Sequence, residues 1–147
     1  MADLHDLSAL DQAAAVRTRE VSPSDLVEHY LGRIERLSDA VGAYVTVTPE
    51  LARSQARAAE RALFEDPESA PPLLGVPIAI KDLTDVAGVR CTLGSAAFVD
   101  RVATVDAHVV TLLRRAGTVI LGKTNAAELG APAYTEPEVA PPARTPR

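Results

Sequence analysis

The chain of 147 residues has one cysteine, no tryptophan and only 3% aromatic residues. The lone Cys91 excludes an intrachain disulfide framework and a cysteine-rich metal site. With so few aromatic rings there is no platform on which nucleobases stack. A net charge of −5 without a basic patch offers nothing to follow a phosphate backbone, so nucleic acid is not an expected partner. No apolar run approaches the roughly 18 residues of a membrane-spanning helix, and no membrane partner is expected. The N-terminal Met1-Ala-Asp-Leu-His lacks the basic run of a secretory leader, and a cytoplasmic location is the expectation. Acidic residues and histidines are scattered, with no H-E-x-x-H or similar spacing, so neither a metal nor a cofactor is expected.

Lysine is scarce too. Lys81 and Lys123 stand against thirteen arginines. Lys81 ends the run Leu73-Leu-Gly-Val-Pro-Ile-Ala-Ile-Lys81-Asp82. A short apolar run bounded by Gly and a charge reads as a buried strand, which puts Lys81 where a strand leaves the core. An amine that loses water there is pushed toward its neutral form and can then take a proton from a nucleophile, which Arg cannot do. Against this stand a plain surface lysine at a strand end and an Arg-over-Lys coding bias, which would produce the same scarcity.

What is present is enough for one packed domain: 47% of residues are hydrophobic. Leu4 to Val16 has helical spacing, with Ser8 placed to cap it. Ser22-Pro23-Ser-Asp25 is a stronger helix start, with a capping hydroxyl, Pro at the first turn and an early carboxylate. Leu26, Val27, Tyr30, Leu31, Ile34 and Leu37 follow on one face. Ala43 to Thr48 is β-branched and reads as a strand. Thr48-Pro49 opens a further helix with Ala52, Ala56, Ala59 and Leu63 inward. Val86 to Ser95 is too rich in Gly for a helix and reads as a loop. The spacing predicts a helix from Ala107 to Ala116, capped by Asp106, with Val109, Val110, Leu112 and Leu113 inward and Gly117 as its stop. Thr118 to Leu121 reads as a strand ended by Gly122, and Asn125 to Leu129 as a short helical turn.

Alternation of helix and strand argues for an α/β fold, with helices packed on a small mixed sheet of about three strands, an incomplete core by the usual size of sheets. Residues 1–130 form the expected α/β part. Residues 131–147 hold five prolines and no apolar period and are expected to be an irregular tail.

Several candidate motifs carry little chemistry. Gly117-Thr-Val-Ile-Leu-Gly122-Lys123-Thr124 fits G-x-x-x-x-G-K-[ST], a remote nucleotide-binding alternative. Its four middle residues are themselves the apolar strand, so a helix stop, strand and turn fit better. Ser95 is not in a nucleophile elbow and reads as a turn hydroxyl. Cys91 reads as a small buried hydrophobe. His5, His29 and His108 fall on or near separate helices and read as surface residues.

Three stretches in combination resemble the N-terminal part of the amidase signature family. They are Leu74-Gly-Val-Pro-Ile-Ala-Ile-Lys81-Asp82, Asp106-Ala-His-Val-Val-Thr-Leu-Leu-Arg-Arg-Ala-Gly117 and Val119-Ile-Leu-Gly-Lys123-Thr-Asn125-Ala-Ala-Glu128-Leu. Glu20 to Glu28 and Ala43 to Thr48 are similar to the family's first segments, in the same order. The resemblance implies the N-terminal portion of the amidase signature fold and an amide-bond hydrolase using a Ser–cis-Ser–Lys triad, with Lys81 as the base. Substrates in such a family range from small amides to misacylated tRNA amidated with glutamine. The Gly/Ser-rich segment that supplies both serines and the oxyanion hole has no match in this sequence. Pro137 also departs from the Asn usual after Glu136.

The chain alone is therefore expected to be inactive, and a small-molecule amide to bind only if the missing C-terminal part completes the site. The alternative is a non-catalytic interaction module, or one component of a split amidase or amidotransferase, with self-association or a partner subunit through surfaces left open. Without serine partners Lys81 is expected to be more exposed than in a complete enzyme.

Overall fold

The computed structural model describes residues 3–145. Its regular elements in chain order are α1 (Ala9–Arg17), α2 (Pro23–Val41), β1 (Tyr44–Val47), α3 (Pro49–Glu65), β2 (Pro77–Lys81), α4 (His108–Arg115) and β3 (Val119–Thr124). Single 3-10 turns lie at Leu4–Asp6, Ala96–Phe98 and Glu128–Gly130. The three strands form one mixed sheet in the order β1-β3-β2. β1 runs antiparallel to β3, and β2 runs parallel to it. The parallel pair needs a long crossover, and the segment carrying α4 supplies it.

Local chemistry sets the helix bounds. Ser22 and Asp25 close a reciprocal capping box at the start of α2, with Pro23 in the first turn. Ser8 and Asp11 do the same for α1. At the far end of α2, Gly42 adopts φ +58°, a left-handed stop that favours glycine. In α3, Ala52, Ala56, Ala59 and Leu63 are buried. Of these, Ala52 and Ala56 let α3 approach Val27 and Leu31 of α2 and Val119 and Leu121 of β3 in one core cluster.

β3 is the central strand, and its alternation divides the core. Val119 and Leu121 face α2 and α3, whereas Ile120 faces the other way, onto Ile80, Val86, Val89 and Val110. The segment between β2 and α4 therefore underlies the sheet. Arg90 reaches across it, donating from Nη2 to the Val45 carbonyl at 2.9 Å and to Thr46 Oγ1 at 3.1 Å.

The α/β class and the small mixed sheet match the expectation, and three details differ. First, β3 does not stop at Gly122 but runs through it to Thr124. Gly122 lies opposite Val47 and Ala79, at a register irregularity in the β2 pairing, and a Cβ there would collide with the Thr46 carbonyl oxygen. The glycine is a point of close strand approach, not a terminator.

Second, Asp106 does not cap α4. The helix starts at His108 without a side-chain cap, and Asp106 instead accepts from the Ala87 amide at 2.7 Å and pairs with Arg114 at 2.8 Å. Of the four apolar residues expected to face inward, Val110 is buried and Leu113 half-buried, while Val109 and Leu112 are 51% and 49% exposed. Third, Asn125 to Ala127 are irregular, and only the 3-10 turn at Glu128–Gly130 follows.

Residues 131–145 contain no helix or strand. They fold back on the β1 side: Asn125 Nδ2 donates to the Pro141 carbonyl at 2.8 Å, and the Arg144 amide to the Val41 carbonyl at 2.9 Å.

Candidate functional site

β2 and β3 leave the sheet at the same end, with Lys81 opposite Thr124. In open sheets with parallel strands, this carboxyl end is where ligands gather. Period-two alternation decides the fate of the neighbouring side chains. Ile80 is buried, Lys81 turns out and is exposed, and Asp82 turns in and is wholly buried. Lys81 therefore matches the surface-lysine alternative at this strand end and is not a desolvated amine.

The desolvated lysine is Lys123, on β3 one residue before the strand's end at Thr124. Its Nζ lies 3.0 Å from Asp82 Oδ1, and both side chains are 0% exposed. Asp82 Oδ2 accepts from the Thr92 amide at 3.0 Å and from the Thr92 hydroxyl. The Asp82 carbonyl accepts from the Leu93 amide at 3.2 Å and from Cys91 Sγ at 3.3 Å, and its amide donates to the Thr124 carbonyl at 2.9 Å. One residue after Lys81, the chain is thus clamped to β3 and to the loop beneath. A buried ion pair survives desolvation only with such full satisfaction.

Sequence reasoning misses this network. The scarcity of lysine points equally to Lys81 and Lys123, but the G-x-x-x-x-G-K-[ST] pattern draws attention to Lys123 as a loop residue. As a buried strand residue engaged with Asp82, Lys123 is not presented to a phosphate, and no phosphate loop exists at residues 117–124.

Two further ion pairs brace the surrounding loop. Arg101 holds Asp85 through both carboxylate oxygens at 2.6 and 2.7 Å, and its guanidinium keeps the Asp85 carboxyl below the usual carboxylate range. Asp106 and Arg114 form the second. Ser95 donates to Glu128 Oε1 at 2.6 Å and accepts from the Ala97 amide, a turn role that also joins this loop to the exit of β3. Cys91 is buried, and burial pushes its thiol pKa up, the opposite of an activated thiolate.

A cavity of about 260 Å³ lies beside this loop, lined by Gly94, Glu128, Tyr134 and Glu136 among others. His108 is exposed at the start of α4, as expected of a surface residue, but His5 and His29 are half-buried and stack with ring centroids 5.2 Å apart and ring nitrogens at 3.0 Å. Asp3, His5 and Asp6 bring three ligand-type atoms within 4.8 Å, with the Asp6 carboxylate accepting from the Asp3 amide at 3.3 Å.

An exposed lysine at the carboxyl end of a parallel strand pair, with a wholly buried Asp82–Lys123 clamp behind it, is the site that the fold defines. The Amidase family model matches residues 25–147, and the chain belongs to that family. It is 41% identical over 148 residues to a putative amidase of Synechocystis sp., covering 99% of this chain and 29% of that protein. It is 46% identical over 134 residues to the putative amidase AmiB2 of Mycobacterium tuberculosis, covering 91% of this chain and 28% of that protein. Among solved structures, 6-aminohexanoate cyclic dimer hydrolase superposes with a TM-score of 0.84 at 30% identity, over 98% of this chain and 28% of the hydrolase. The chain thus spans less than a third of the length of these relatives. Among the described residues, no helix is long and apolar enough to cross a membrane.

Proposed function

We propose that this chain carries the lysine of an amide-hydrolysing centre of the Ser–cis-Ser–Lys type, with Lys81 as the general base. The observation that carries the reading is the placement of Lys81. It stands exposed at the carboxyl end of β2, on a strand whose next residue is locked by the buried pair with Lys123. In such a centre the neutral amine takes the proton of one serine hydroxyl through a second serine. The first serine attacks the amide carbonyl, and backbone N–H groups hold the oxyanion. The serines and the oxyanion donors come from polypeptide outside these 147 residues, in which no Gly/Ser-rich segment occurs.

The substrate class is a linear amide, cleaved at its C–N bond, and the chain by itself does not turn it over. Ser95 and Cys91 do not substitute for the missing nucleophile, because one is engaged with Glu128 and the other is buried. The test is ammonia release from propionamide by the purified chain. No release above the buffer rate is expected, and sustained turnover by the chain alone overturns the reading.

A further inference from the structure

We infer that His5, His29 and Asp3 form a binding site for a divalent transition-metal ion of the zinc class. The site uses none of the residues around Lys81 and stands independently of the amidase reading.

Its residues come from two elements. Asp3, His5 and Asp6 belong to the 3-10 turn Leu4–Asp6 and its cap, and His29 lies in the second turn of α2. His5 Nδ1 and His29 Nε2 face each other at 3.0 Å. A His5 nitrogen and carboxylate oxygens of Asp3 and Asp6 all lie within 4.8 Å of one another, the one cluster of its kind among the described residues. The 24 positions between His5 and His29 keep the pair out of any short motif.

The separation of the two imidazole nitrogens is that of neighbouring ligands on one ion. With metal–nitrogen bonds of about 2.0–2.1 Å, adjacent corners of an octahedral or tetrahedral shell stand about 3.0–3.4 Å apart. Both rings are half-buried, which restricts their orientations before any ion arrives. The turn is held in place as well. Gln12, only 4% exposed, donates from Nε2 to the Leu4 carbonyl at 3.1 Å and the Leu7 carbonyl at 3.2 Å. The same nitrogen lies 2.7 Å from the hydroxyl of Tyr30, the neighbour of His29. One buried amide thus fixes the turn of His5 against the helix that carries His29, the preorganisation that a metal site needs.

The donor set selects the ion. Two imidazoles with a carboxylate suit zinc, nickel or copper, whereas magnesium and calcium take oxygen ligands. Asp3 is exposed, so its carboxylate has room to close onto the ion as the third ligand. Asp6 Oδ1 lies 3.9 Å from His5 Nε2, the nitrogen that does not face His29. It stands where a carboxylate orients a ligating imidazole from behind. Arg33 and Arg36 oppose a cation at His29, and Asp3 favours it, with Asp6 adding a second negative charge beside His5. A bound ion ties the N-terminal turn to α2.

The test titrates Zn²⁺ by calorimetry into the tag-free, chelator-stripped chain and into His5→Gln, His29→Gln, Asp3→Asn and His108→Gln. One ion per chain is expected, with a rise in melting temperature. His5→Gln, His29→Gln and Asp3→Asn should each weaken binding by about tenfold or more, since even the loss of an outer partner costs about 10–100-fold. His108→Gln, exposed at the start of α4, should bind as the parent does. Asp3→Asn alters an exposed side chain and decides the matter if a histidine variant fails to fold. No saturable binding, Mg²⁺ bound as tightly as Zn²⁺, an equal loss in His108→Gln, or parent affinity in His29→Gln or Asp3→Asn overturns the inference. Those results would leave a plain N–H···N bond between two neutral rings.

Discussion

Lys123 Nζ and Asp82 Oδ1 sit 3.0 Å apart in a region that solvent does not reach. Asp82 is fixed through side chain, amide and carbonyl alike, to Lys123, Thr92, Thr124 and Leu93. Removing one member of such a pair leaves the other charge buried and uncompensated, which costs about 3–5 kcal/mol. Asp82→Asn and Lys123→Met should each lower the unfolding free energy by that amount, read as a lower urea midpoint at unchanged slope. The double variant should lose clearly less than the sum of the two. Additive losses would show that the two groups are not coupled.

Gly122 tests the close approach of β1 to β3. A Cβ at this position meets the Thr46 carbonyl and the Val47 backbone, neither of which can swing aside as a side chain would. Gly122→Ala should therefore be among the most damaging single-methyl additions in the protein, at ~1–3 kcal/mol as overpacking generally costs. Gly88→Ala is the control for added bulk, because nothing lies within 4 Å of a Cβ there. Its own cost comes only from the backbone, at φ +77°. Equal losses in chemical denaturation for the two variants would contradict the role assigned to Gly122.

His29, stacked on His5, is expected to give the fold a pH dependence. Burial, then the neighbouring His5 and Arg33, hold the His29 imidazole below its ordinary value, with Asp3 pulling the other way. The folded state thus favours the neutral ring. The contribution is complete above the unfolded value of about 6.5, and falls as pH drops from there through the lowered folded value. Thermal melts from about pH 7.5 to about pH 5, which bracket that value, should show a loss that His29→Gln reduces. An unchanged pH slope in His29→Gln would remove His29 from the account.

How much is legible in the sequence follows from the range of each interaction. The α2 start is readable because its capping box lies within four residues, Ser22 to Asp25. The alanine face of α3 and the helix stop before β3 are equally local. The end of β3 is not, because Gly122 owes its presence to Thr46, far away in the chain and adjacent only once the strands pair. Sequence proximity assigns Asp106 to the α4 cap, whereas Ala87 and Arg114 offer it better partners in three dimensions. At the site, the position of Lys81 at a strand end is legible from the apolar run. Which lysine is desolvated is not, since strand alternation and the location of Asp82 decide it. The pairing of His5 with His29 likewise depends on how the N-terminal turn packs on α2.

The central claim is that Lys81 serves an amide-hydrolysing centre whose other groups lie outside these 147 residues. The most direct measurement is ammonia release from propionamide by the unmodified chain and by Lys81→Met, each assembled with the complementary part of the Synechocystis relative. Lys81 is exposed, so Lys81→Met should shift stability by no more than about 0.5 kcal/mol and leave assembly intact. The account predicts turnover by the unmodified assembly and its loss to background in Lys81→Met. Turnover that persists at a similar rate in a fully assembled Lys81→Met complex would contradict it.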